Sequence, residues 1–95
     1  MGVAKALGDI GSYYQGDGSY GQALTNYLNS LEILEDLGSQ KGISTMSNNI
    51  GTIFVYTNEN EEALYYLTKA IQSCDSVRDP INYGNMLGNV LVAWI

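Results

Sequence analysis

Residues 16 to 21 read GDGSYG, a G-x-G-x-x-G spacing that runs directly into the helical pattern QALTNYLNSLEIL. After a β-strand, such glycines let the backbone turn tightly and deliver a pyrophosphate to a helix N-terminus. The segment before them, AKALGDIGSYY, spaces its apolar residues by three and four, the period of a helix and not of a strand. Forty residues later the same positions hold Tyr56, Asn58 and Glu61, so the bend recurs without its glycines. A glycine inside a helix costs about 1 kcal/mol against alanine, which assigns Gly16 and Gly18 to a turn with positive φ as the demand. The dinucleotide reading, which would predict stabilisation by NAD or ATP, is rejected. Cys74 is the single cysteine and no histidine exists to activate it. It takes the place of Leu34 in the preceding copy of the pattern and reads as a small buried apolar group. With no metal-ligand spacing and no catalytic pair, no cofactor, metal or enzymatic activity is expected.

Ten acidic residues against four basic ones (Lys5, Lys41, Lys69, Arg78) give a net charge of -6. That balance repels a phosphate backbone, whose binding needs clustered Lys and Arg, so nucleic acid is not an expected partner. No apolar run approaches the roughly 18 residues of a membrane span, and none is expected to insert. A lone cysteine predicts a reducing compartment, hence the cytoplasm. At 95 residues with 45% apolar and 11% aromatic side chains, the chain is expected to fold as one domain spanning 1–95.

The elements that position these residues come in copies. Shifted by forty, Gly2, Val3, Ile10, Gly11, Tyr14, Ala23 and Leu24 fall on Gly42, Ile43, Ile50, Gly51, Phe54, Ala63 and Leu64. A shift of 37 carries Asn48, Ile50, Gly51 and Phe54 onto Asn85, Leu87, Gly88 and Leu91. The spacing within each copy predicts two helices, near 3–15, 20–37, 41–56, 61–76 and 80–95. Ser19 with Gln22 is a capping-box arrangement, Gly38 a stop, and Glu61 and Glu62 first-turn carboxylates. Asp79-Pro80 marks the last start. Repeat 1 covers about 3–38, repeat 2 about 41–78 and a partial repeat 3 about 80–95, expected to belong to a longer array. Gly84-x-x-x-Gly88 copies a membrane dimerisation motif, but in this setting predicts close helix packing. Tyr13-Tyr14 and Tyr65-Tyr66 each place one ring inward and one outward.

Gly11, Tyr14, Ala23, Tyr27, Ser30 and Gly51, Phe54, Ala63, Leu67, Ala70 resemble the tetratricopeptide repeat pattern of small and large residues. The common unit has about 34 residues, so forty resembles the extended subclass with longer helices. Ser47 and Gly84 depart from the pattern's early Trp or Leu, and Glu35 and Asp75 from its closing Pro. The resemblance implies an all-α solenoid of antiparallel helix pairs in a right-handed superhelix, with two full repeats and the first helix of a third. It also implies that the first helices line a concave face that binds a segment of another protein.

The polar stripe of those helices holds Lys5, Gly8, Asp9, Ser12 and Gln15, then Thr45, Asn48, Asn49, Thr52 and Tyr56, then Asn82, Asn85 and Asn89. An Asn amide offers donor and acceptor together, which suits a partner's peptide backbone. Family members that clamp a terminal carboxylate use several basic residues. Here Lys5 is the only base of the stripe, which sets that partner class aside, and the net charge of -6 favours neutral or basic segments. The resemblance implies a place in a larger signalling or scaffold protein. The last stretch, with Leu91, Val92, Trp94 and Ile95, is an apolar first helix without a second to cover it, so homodimerisation or continued stacking is the alternative.

Overall fold

The computed structural model describes residues 2–74 and 80–94, with the side chains of Asn82 and of 92–94 outside the description. Five helices follow one another: α1 Gly2–Gly16, α2 Tyr20–Leu37, α3 Gln40–Tyr56, α4 Asn60–Ser73 and α5 Pro80–Trp94. Each packs mainly on its chain neighbour, α1 on α2, α2 on α3, α3 on α4 and α4 on α5, with a smaller contact between α3 and α5. This is an all-α helical-repeat solenoid. The starts of α2 and α4 lie forty residues apart, as do those of α3 and α5.

Three turns share one hydrogen-bond plan. Gly18 N–H donates to Gln15 O and Ser19 N–H to Tyr14 O. Gly38 N–H and Ser39 N–H repeat this on Glu35 and Leu34, and Asn58 N–H and Glu59 N–H on Val55 and Phe54. Each pair satisfies carbonyls that a helix end would otherwise orphan, and the plan puts one residue in the left-handed region. Gly18, Gly38 and Asn58 occupy it, with φ of 81°, 69° and 62°. Gly18 and Asn58 therefore meet the same demand, as expected. Gly16 does not, because it closes α1 as its last residue.

The core follows the repeat. Ala23, Tyr27, Ser30 and Leu31 are buried in the first pair, and Ala63, Leu67 and Ala70 in the second. A methyl group on Gly11 would lie 2.7 Å from the Tyr27 ring, and one on Gly51 2.6 Å from Leu67 Cγ, so these positions must be small for the helices to touch. Ser30 Oγ donates to the Ala4 carbonyl at 2.8 Å, tying α2 to α1 inside the core.

Four expectations need correction. Ser19 is the N-cap of α2, but its hydroxyl makes no capping bond and turns to Asp17 instead. Helix α4 ends at Ser73 because Cys74 takes extended backbone, and Cys74 is half-buried, not buried as Leu34 is. Gly84 and Gly88 are exposed, and a Cβ on either would meet nothing within 4 Å. The partner of α5 in this fold, α4, packs on another side of it, where Val90 lies against Ala63 and Leu67. Asp75, Val77, Arg78 and Asp79 lie outside the described residues.

Candidate peptide-binding face

Helical geometry puts residues three and four apart on one stripe, and the first helices of the pairs, α1, α3 and α5, each carry such a stripe of polar residues. Thr45, Asn48, Asn49 and Thr52 of α3 are half-buried, as is Asn89 of α5, whereas Lys5 and Ser12 of α1 and Asn85 of α5 are exposed. The Asn82 side chain lies outside the described residues. Two of the predicted residues meet across helices: Asn89 Nδ2 donates to Asn48 Oδ1 at 2.9 Å. Beside them Ser44 Oγ donates to Met86 Sδ at 3.5 Å, and Met86 is fully buried. These contacts hold α5 against α3 and make one surface of the two stripes.

The bonding inventory decides what that surface can offer. Thr45 Oγ1 donates to Lys41 O at 3.0 Å and Thr52 Oγ1 to Asn48 O at 2.8 Å. Both hydroxyls thus spend their single donor on their own helix and keep acceptor lone pairs. The Asn48–Asn89 bond uses one donor and one acceptor. By the capacity of the amide group, Asn48 Nδ2 retains its donors and Asn89 Oδ1 its acceptor. A donor and an acceptor on two neighbouring amides suit the N–H and C=O of one residue in an extended backbone, which point to the same side.

On α1 the predicted residues serve other ends. Tyr27 is 1% exposed, and its hydroxyl donates to Gln15 Oε1 at 2.7 Å while lying 3.0 Å from Ser12 Oγ, which donates to it in turn. Ser12 and Gln15 therefore satisfy a core tyrosine. Lys5 pairs with Asp9 at 3.2 Å, and both side chains are mostly in solvent, so the only cation of the stripe is already matched. The methyl of Met46 lies 3.1 Å from a Cβ placed on Gly8, where α1 approaches α3.

Three further features lie beside these stripes. The rings of Tyr20 and Tyr56 stack across the two repeats at 6.0 Å. Ser47 is fully buried, and its Oγ has no hydrogen-bond partner among the described residues. Ile81, Leu87 and Leu91 are exposed along α5, by 80%, 42% and 65%. Leu91 was anticipated from the uncovered last helix, whereas the side chains of Val92 and Trp94, and Ile95 as a whole, lie outside the described residues. The tyrosine stack had a signal in the sequence too, the aromatic residues flanking equivalent turns, whereas the orphaned Ser47 hydroxyl had none.

Among the described residues, no group of three His, Cys, Asp or Glu side chains is placed to hold a metal ion, and no helix is long and apolar enough to cross a membrane. The sequence model of the tetratricopeptide repeat matches residues 2–76. No curated protein and no solved structure matches the chain.

Proposed function

The chain belongs to the tetratricopeptide repeat family, and on that premise we propose that it binds an extended segment of another protein along the amide face of α3 and α5. Repeats of this family are protein–protein interaction modules and are typically non-catalytic. The observation that carries the finer reading is the bond between Asn48 and Asn89, which presents an oriented donor and acceptor. Thr45, Asn49 and Thr52 add acceptors and an amide on the same stripe of α3, with Asn85 one turn from Asn89, so recognition is of backbone more than of side chains. Lys41, one turn before Thr45 at the start of α3, is a single cation and not the cluster that clamps a terminal carboxylate, and the net charge of -6 favours a neutral or basic segment. Its setting is a cytoplasmic signalling or scaffold protein.

The test is a peptide-display selection on the purified chain beside an Asn48→Ala, Asn89→Ala variant, with folding of both followed by circular dichroism. Enrichment that disappears in the folded variant supports the amide face. Peptides that bind both proteins equally would overturn it.

A second reading, self-association through α5, is favoured by the exposed Ile81, Leu87 and Leu91. It concerns a different surface and is separated from the first by the oligomeric state.

A further inference from the structure

The two equivalent turns, 17–19 and 57–59, share one edge of the molecule, at the C-terminal ends of α1 and α3. Tyr20 and Tyr56 stack there with an interplanar angle of 27°, and Tyr56 remains 60% exposed. Each ring lies three residues from a carboxylate, Asp17 on one side and Glu59 on the other. Both carboxylates accept a hydroxyl bond within their own turn: Ser19 Oγ reaches Asp17 Oδ2 at 3.5 Å and Thr57 Oγ1 reaches Glu59 Oε2 at 2.8 Å. Residues 13–21 and 53–64 contain Asp17, Glu59, Glu61 and Glu62 and no Lys or Arg. Lys5 and Lys41 lie near the opposite, N-terminal ends of α1 and α3, and Lys69 is held by Glu35 near the C-terminus of α2.

We propose that this edge is a docking surface for a basic segment of a partner protein, with an Arg or Lys side chain over the exposed Tyr56 face and its charge matched by Asp17 and Glu59. Solvent-exposed stacked rings are attractive to cations through their negative faces, and a guanidinium adds planar stacking. The charge of the edge selects the occupant: among the described residues of the two turns, an acidic segment would meet the Asp17 and Glu59 carboxylates, whereas a basic one is steered toward them. Tyr20 is half-buried and packs against the core, so the stack anchors Tyr56 to the fold and leaves the outer face of the Tyr56 ring in solvent. The proposal goes beyond the amide face and stands whether or not that face binds a peptide.

Fluorescence anisotropy with labelled hexa-arginine tests it, with hexa-glutamate as the reversed-charge probe. Tyr56→Ala is expected to weaken hexa-arginine by at least about threefold, and Tyr56→Phe to keep affinity within about twofold because the ring face survives. Asp17→Asn with Glu59→Gln should weaken binding. Glu32→Gln with Asp36→Asn, the same change of charge at the far end of α2, should leave it unaltered. Equal losses in the two double variants would mean attraction by net charge alone and would overturn the proposal. Loss on Asn48→Ala with none on Tyr56→Ala would overturn it too, by moving the peptide to the amide face. Tyr56→Ala is checked for folding by circular dichroism, and retention in Tyr56→Phe supplies the ring-specific readout.

Discussion

At the scale of single residues, a methyl group separates the glycines into two kinds. A Cβ on Gly51 would stand 2.6 Å from Leu67 Cγ and 3.3 Å from the Ala63 carbonyl, and Leu67 has no exposed side from which to retreat. Gly51→Ala gains roughly 1 kcal/mol of helix propensity and loses about 1–3 kcal/mol to overpacking, so its net effect is a lower urea midpoint. Gly88→Ala meets open space on α5 and is expected to raise stability by about 0.5–1 kcal/mol. A shift of 37 sets both in one register and assigns both to close packing, whereas α3 and α5 start forty residues apart, which brings Leu91 and not Gly88 to the position of Gly51. Ser47 is the converse case. Its desolvated, unpartnered hydroxyl costs on the order of 1 kcal/mol, so Ser47→Ala is expected to stabilise the chain, read as a higher midpoint in the same titration.

At the scale of elements, the turns are held by backbone shape and the pairs by side chains. Gly38 adopts φ 69°, where a Cβ costs about 1–2 kcal/mol, and Gly38→Ala should lower the thermal midpoint by several degrees. Asn58 pays part of that strain already, so Asn58→Gly should leave the midpoint equal or higher. The second helices of the two repeats are linked by Lys69 Nζ and Glu35 Oε2 at 2.6 Å. The hydrogen bond to Glu35 is the largest cause holding the Lys69 pKa above its ordinary 10.5. A cation whose pKa rises on folding stabilises fully below its unfolded value and stops doing so as pH climbs through the folded one. Lys69→Met should therefore cost under about 1 kcal/mol at neutral pH, the pair being partly exposed, and the cost should fade above pH 10.5. Helix existence was legible because the small and large residues that recur at forty are those at which helices touch. The end of α4 was not, since apolar spacing continues through Cys74 while its backbone does not. The Ser12–Tyr27–Gln15 bonds were hidden too, because their residues are 15 and 12 apart and meet only once α1 and α2 have paired.

At the scale of the molecule, the first and last helices described present surfaces whose equivalents in α3 are buried. Val3, Ile10 and Tyr13 are 66%, 44% and 72% exposed, whereas Ile43, Ile50 and Ile53, forty residues later, are covered to 8% or less. At the other end Leu87 and Leu91 are exposed, whereas Ser47 and Gly51, forty residues earlier, are buried under α4. Covering one large side chain is worth about 1.5–3 kcal/mol, so each end can drive association, and charge decides between them. Two copies of a chain of net charge -6 repel, and α5 alone among the five helices contains no Asp, Glu, Lys or Arg, so repulsion is least where α5 meets α5. Such a contact is self-complementary and closes at two copies, whereas joining the α1 end to the α5 end would propagate as an open chain. Light scattering behind size-exclusion chromatography separates these outcomes. Pairing through α5 predicts a two-chain mass that Leu91→Asp reduces to one chain and Ile10→Asp leaves unchanged. Masses that grow beyond two chains, and that either substitution abolishes, would assign association to end-to-end stacking. A single-chain mass at every concentration would leave the amide face and the tyrosine edge as the surfaces through which this chain meets its partners.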